Sequence, residues 1–207
     1  MASGVGAVGL TLDWGVAGAP MRGQQASGDL EVVREFPGGA LVAVIDGLGH
    51  GSEAARAARR AGEILEGSPQ VPIAELVRRC HQELTGRRGV VLSLAAFDAR
   101  SGVMTWAGVG NVEGVLVRAT NGHRMSRSGL VVLGGVVGGD LPEVRPQQLP
   151  VEPGDVVVFA TDGVARAFVD GINPRLPAPQ LAADLLAQHT KGTDDALILV
   201  ARFLGAR

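Results

Sequence analysis

Four aspartates stand beside glycine at the ends of apolar runs: Ser27-Gly28-Asp29, Ile45-Asp46-Gly47, Thr161-Asp162-Gly163 and Gly192-Thr193-Asp194-Asp195. Carboxylates carried at strand ends project from a rigid sheet into a shared space, and there they repel one another unless a cation neutralises them. Hard divalent ions such as Mg²⁺ and Mn²⁺ take oxygen donors of this kind, and two ions sharing a carboxylate can activate the water between them. The neighbouring glycines let backbone carbonyls approach a metal. A single Asp-Gly is ordinary turn chemistry. It is the fourfold recurrence that points to a metal centre. Asp13, Asp98, Asp155 and Asp184 lack that context, and Asp155, in Pro153-Gly154-Asp155, reads as a turn.

Around these carboxylates a few other groups are candidates. His50 follows the Asp46-Gly47 pair closely; it could act as a general acid and protonate a departing alkoxide, or it could simply orient the Gly49-His50-Gly51 turn. Arg22, or the backbone N–H groups of a helix opening at Gly51-Ser52, could receive a phosphate. His81, His123 and His189 have no neighbours that argue for ligation. Cys80 lies in a helical stretch without the phosphate-cradling pattern that a cysteine nucleophile needs.

The elements that would position these groups follow from periodicity. Strands are expected at Leu10–Trp14, Asp29–Phe36 and Leu41–Ile45, the last a β-branched run between glycine pairs. Ser52 can cap an alanine-rich helix of about four turns, and Ile73–Leu84 carries apolar residues at helical spacing. Strands return at Val90–Asp98, Val103–Gly110 and Val112–Ala119, the last ending at an Asn121-Gly122 hairpin signal, so an antiparallel meander is expected. Gly129–Val144 reads as a glycine-interrupted loop with one short strand, its Gly129–Asp140 part a mobile contact. Asp155–Ala160 is a buried strand, Gln180–Gln188 a helix opened by the Pro177 and Pro179 region, and Ala196–Phe203 a last strand. Strands, two consecutive helices, more strands, then a helix and a strand indicate an α+β layered sandwich.

The bulk numbers narrow the field. With 207 residues, 46% hydrophobic and 19% charged, the chain suits one domain over 1–207. A net charge of −2 offers no surplus to neutralise a polyphosphate backbone, which argues against nucleic acid. One cysteine cannot form an internal disulfide, and the N-terminus has neither a basic leader nor a membrane-length apolar run. No membrane partner and a cytoplasmic location are therefore expected. Glycine, 31 residues, is about twice its usual share and punctuates short apolar runs, as strands joined by tight turns require.

The segment VAVIDGLGHGSEAARAA at Val42–Ala58, the upstream SGD, the later VVVFATDGV and the terminal TDDALILVARF resemble the metal-dependent PP2C-type phosphatases, in their bacterial SpoIIE-like branch. The resemblance runs along nearly the whole chain in the family's order. It implies an αββα sandwich of two antiparallel sheets flanked by helices, with a centre of two Mn²⁺ or Mg²⁺ ions at one end. On that likeness Asp46 matches the bridging carboxylate and Gly47 a backbone-carbonyl ligand. Asp29, Asp162 and Asp194 match the other metal aspartates, and Asp195 a supporting group. Two positions depart from the family. An acidic residue common three places after the first aspartate is here Val32, and the histidine of the eukaryotic DGHGG is here Leu48.

The resemblance implies a protein serine/threonine phosphatase that hydrolyses its ester by direct attack of a metal-bridged water. The phrase AGVGNVEGVLVR at Ala107–Arg118 and the short chain without a sensor domain are most similar to the stand-alone stressosome phosphatases of this branch. Phosphorylated STAS-domain proteins of a stressosome-like complex are the implied partners. The alternative is a catalytically silent, phosphatase-shaped binding module. A nucleotide-binding reading of DGLGHG lacks the Walker lysine and the dinucleotide spacing.

Overall fold

The computed structural model describes residues 10–24, 26–118 and 126–206. Its ten strands form two five-stranded sheets in which every pair is antiparallel. One sheet has the order β1 (Leu10–Ala19), β10 (Ala196–Ala206), β9 (Val156–Ala160), β6 (Glu113–Val117), β7 (Arg127–Gly129). The other runs β2 (Asp29–Phe36), β3 (Gly39–Gly47), β4 (Val90–Asp98), β5 (Val103–Val109), β8 (Gln147–Pro150). Helices α1 (Ser52–Gly67) and α2 (Ile73–Leu84) cover the β2–β8 sheet, while α3 (Phe168–Gly171) and α4 (Ala178–His189) cover the other. This is the α+β, αββα sandwich expected from the sequence.

The period-two alternation of each strand sorts its side chains between two cores. In β3, Ala40, Val42 and Val44 point to the opposite sheet, whereas Leu41, Ala43 and Ile45 point to α1 and α2. In β10, Leu197, Leu199, Ala201 and Phe203 join the inter-sheet core, and Ile198 and Val200 lie under α4. Both faces of these strands are covered, which is why their sequences are continuously apolar where a half-exposed strand would alternate. Trp106 and Phe159 stack across the sandwich with ring centroids 5.6 Å apart. The two sheets are thereby fixed at the spacing that their aspartate-bearing ends share.

Helix α1 packs closely because its inward face is thin. Ala54, Ala58 and Ala61 are buried, and a Cβ at Gly62 would stand 2.6 Å from the Leu30 side chain. Its N-cap is Gly51, at φ 81°, with no side-chain cap, so Ser52 is the first helical residue and not the capping one the sequence suggested. Helix α2 buries Ile73, Leu76, Val77, Cys80 and Leu84, a spacing of three and four residues that forms a single stripe.

Several expectations are corrected. The meander fails at its third strand: β4 and β5 pair, but β6 crosses to the other sheet and pairs with β9 and β7. Gly110, at φ 100°, turns the chain there, in a place where any Cβ would collide with Val91 at 2.1 Å. β6 and β7 do form an antiparallel pair, although the Asn121-Gly122 turn itself lies outside the described residues. Gly129–Val144 holds no strand beyond the end of β7, and is tied down by single bridges of Val137 to Val90 and Leu133 to Val109. Val137 is fully buried, so this segment is anchored at its middle. Strand β8 and the single-turn α3 carry no periodic signal long enough to read in advance.

Asp155 is likewise more than a turn residue. It is 3% exposed and ion-paired to Arg118 at 3.1 Å, and it accepts the Glu152 N–H. Among the described residues no helix is long and apolar enough to cross a membrane.

Candidate metal centre

All four candidate aspartates stand at the end of the sandwich where β2 begins and β9 ends. Asp29 opens β2 and is the register partner of Asp46, the penultimate residue of β3. In the opposite sheet β9 and β10 pair with Ile198 against Ala160, which brings Asp162, just past β9, beside Asp194 and Asp195, just before β10. The sheets are joined at this edge by polar bonds. Thr161 Oγ1 donates to Asp29 Oδ2 at 2.8 Å and accepts the Leu197 N–H at 2.9 Å. Asp195 accepts the Gly28 N–H on Oδ2 at 2.7 Å and the Met21 N–H on Oδ1 at 2.8 Å.

Two of the flanking glycines exist because backbone fills the place of their side chains. A Cβ at Gly47 would lie 2.2 Å from the Ala54 carbonyl oxygen, and one at Gly163 would lie 1.9 Å from the Asp195 carbonyl oxygen. The first contact seats the N-terminus of α1 against the end of β3. The second locks the Asp162 turn against the Asp194-Asp195 turn. The sequence signal at these positions therefore reports close packing of the chain around the carboxylates as well as access to their carbonyls.

Bringing the aspartates together has an electrostatic cost. The Asp46 carboxyl is pushed from 3.8 up to about 8, first by burial and then by the charges of Asp29, Asp162, Asp194 and Asp195. Asp29 is raised to about 7, mainly by burial; the Thr161 hydroxyl draws it down, and Asp195, Asp162 and Asp194 push it up again. Asp162 is raised by burial and by Asp194, with Lys191 and Asn111 acting in the opposite sense. Among the described residues no three His, Cys, Asp or Glu side chains are gathered into a ready-made cage for one ion. Mg²⁺ and its analogues do not need such a cage, since they keep several waters and bind through one or two carboxylates. A set of only oxygen donors, mutually repulsive and half-desolvated, fits a hard divalent cation and offers nothing to a soft one.

Three contributors were not singled out from the sequence. Asn111 Nδ2 donates to Asp162 Oδ2 at 2.8 Å, Thr161 holds Asp29, and Lys191 Nζ donates to the Asp162 carbonyl at 2.6 Å. Lys191 had a signal available, because it is the only lysine in the chain. The neighbours of Asn111 and Thr161 in sequence say nothing of the aspartates that they meet across the fold.

His50 is exposed and, among the described residues, makes no hydrogen bond or ion pair. Its turn is shaped by Gly49 and Gly51, both at φ 81°, and is held by Arg88, just before β4, whose Nη1 donates to the Leu48 carbonyl at 2.6 Å. Arg22 lies near Gly192, in the loop before Asp194. Val32 is 1% exposed and packs beneath α1, within the core that α1 and α2 cover. Cys80 is buried with its thiol pushed up to about 12 by desolvation, which removes it as a nucleophile.

The chain shares its fold with known proteins. It is 25% identical over 126 residues to the phosphoserine phosphatase RsbX of Bacillus subtilis (strain 168), a match spanning 60% of each chain. The crystal structure of RsbX in complex with magnesium superposes with a TM-score of 0.82 at 18% identity, covering 95% of this chain and 99% of that one. A structure from work on the bacterial stressosome, a modular system adapted to control secondary messenger signalling, gives 0.83 at 30% identity over 93% of this chain and all of its own. The catalytic domain of the serine/threonine phosphatase PstP, in complex with two manganese ions, gives 0.71 at 14% identity over 94% and 99%. Residues 37–204 match the family described as Stage II sporulation protein E (SpoIIE), and the chain belongs to that family of PP2C-type phosphatases.

Proposed function

We propose that this protein is a Mn²⁺- or Mg²⁺-dependent serine/threonine phosphatase, acting in the cytoplasm on phosphorylated STAS-domain proteins of a stressosome-like complex. The observation that carries the catalytic part is the convergence of Asp29, Asp46, Asp162 and Asp194, two of them with carboxyls raised to about 7 and 8. Such a cluster is fully ionised at neutral pH only when a cation sits among its members. Asp29, Asp46, Asp162, Asp194 and the Gly47 carbonyl would hold the ion or ion pair. A bound divalent cation supplies Lewis-acid charge and a water acidic enough to act near neutrality.

The chain's own groups do the rest. Thr161 and Asn111 fix the orientation of Asp29 and Asp162, and Asp195 fastens the backbone on which Asp29 is carried. Lys191 brings a positive charge to the rim of the site, where a phosphoryl group would arrive. His50, on the exposed loop after Gly47, would give a proton to the departing seryl or threonyl oxygen. In the balanced step a water oxygen bonds to phosphorus as its proton passes to solvent, and the phosphorus–oxygen ester bond breaks with the leaving oxygen taking up a proton. No phosphoenzyme is needed, which accords with the inert Cys80.

The substrate assignment draws on the relatives, RsbX being a phosphoserine phosphatase and a neighbour of 30% identity coming from stressosome work. The test is hydrolysis of p-nitrophenyl phosphate and of a kinase-phosphorylated STAS-domain protein, with Mn²⁺ and in excess EDTA. Both activities should require the metal. Undiminished turnover after exhaustive chelation would overturn the metal centre. Binding of the STAS protein without phosphate loss under any metal would favour the silent-module reading.

A further inference from the structure

Beside the metal centre, between α1 and the connection from α2 to β4, lies a groove of about 410 Å³ lined by Arg56, Arg59, Arg60, Arg87 and Arg88. Only two glutamates, Glu53 and Glu63, share its lining, so five positive groups face two negative ones in a chain whose total charge is −2. The excess is local. Three of the arginines are already held in place: Arg56 pairs with Glu53, Arg60 with Glu63 and Glu83, and Arg88 with Glu53. Arg59 and Arg87 are exposed and, among the described residues, have no carboxylate and no side-chain hydrogen-bond partner.

We propose that this groove docks an acidic surface of the phosphoprotein substrate, with Arg59 and Arg87 receiving its carboxylates. The inference rests on the phosphoprotein reading and adds to it where the partner is held. Guanidinium groups pair with carboxylates through two parallel hydrogen bonds, and Arg59 and Arg87, which have no carboxylate partner among the described residues, can offer that fork to an incoming surface. The interleaved glutamates fit a protein surface of mixed charge; along a polyphosphate backbone they would be repelled.

The groove is also joined to the catalytic loop. Arg88 grips the Leu48 carbonyl at 2.6 Å and Glu53, in the first turn of α1, at 2.8 Å. Leu48 follows directly on Asp46-Gly47. A partner seated on the groove therefore lies alongside the loop that borders the carboxylates, within reach of presenting a phosphorylated side chain to them. A small phosphate ester held at the carboxylates carries no acidic protein surface for the groove to hold.

The experiment compares wild type with Arg59→Glu/Arg87→Glu and the milder Arg59→Gln/Arg87→Gln. Binding of an unphosphorylated STAS-domain protein is measured by titration calorimetry at about 50 and 300 mM salt, a range over which exposed charge pairs are strongly screened. Turnover of p-nitrophenyl phosphate with Mn²⁺ is measured in parallel. The double reversal should weaken STAS binding at least about tenfold and flatten its salt dependence, with the glutamine pair intermediate and turnover of the small ester within about twofold. STAS affinity unchanged in both variants, no STAS binding by wild type, or tighter binding of a single-stranded RNA oligonucleotide would each overturn the proposal. Because binding is read without turnover, wild type inert toward p-nitrophenyl phosphate would count against the phosphatase reading while the affinities still decide the docking site.

Discussion

Asp46→Asn should make the metal-free protein more stable above neutral pH, and the size of the effect follows from the site. Burial and four neighbouring aspartates hold the Asp46 carboxyl at about 8, against 3.8 for the group in an unfolded chain. The folded state thus binds this proton more tightly than the unfolded state does. The stability linked to it is fully present below about pH 4, declines as pH rises, and is lost above about 8. At pH 7 the unfolded chain's carboxylate is ionised some three pH units above its midpoint, a ceiling of about 4 kcal/mol at 1.36 kcal/mol per unit. Asp46 is only partly buried, so water screens it, and roughly 2 kcal/mol is a fairer expectation.

Asparagine keeps the shape and cannot ionise. In a protein of this size about 2 kcal/mol corresponds to a rise in Tm of about 4–8 °C. The assay is calorimetric melting of EDTA-treated wild type and variant at pH 5, 6.5 and 8, repeated with Mn²⁺. Without metal the variant should gain on wild type as pH rises. With Mn²⁺ the order should reverse, since an ion bound to the folded state stabilises wild type by mass action and the variant has lost a ligand. A variant that melts below wild type at pH 8 in EDTA would show that the carboxylate is not strained and that the cluster has no need of a cation.

In turnover, Asp46→Asn should lower kcat by about 10³-fold or more, whereas His50→Ala should cost about 10²-fold at most, because solvent can replace a proton donor on an exposed loop; the reverse order in steady-state kinetics on p-nitrophenyl phosphate would exchange their roles. Asp195→Ala should destabilise the protein by about 2–3 kcal/mol, since it leaves the Met21 and Gly28 N–H groups without their charged acceptor. Denaturant unfolding measures this, and a loss under about 0.5 kcal/mol would mean that water takes over both bonds.

Much of this protein is determined locally. The limits of β2, α2 and β4 were legible because each is bounded by turn residues and carries one uninterrupted periodicity, and the four aspartates were legible because each stands at the end of an apolar run close to glycine. The family resemblance, too, is carried by contiguous motifs. Periodicity names a strand's faces but not its neighbour. Whether β6 would continue beside β5 or cross to β9 was settled by Gly110, whose backbone turns where Val91 leaves no room for a side chain. The bonds that assemble the centre lie further still from sequence logic: Thr161 reaches Asp29 across 132 residues, Asp195 reaches Gly28 across 167, and Asn111 reaches Asp162 across 51. Residue types decided that there would be carboxylates at strand ends. Only the pairing of the sheets decided that Asp29 would face Asp46, that both would be half-desolvated, and that their repulsion would call for a cation, because desolvation and Coulomb energy depend on distance in space and not on separation along the chain.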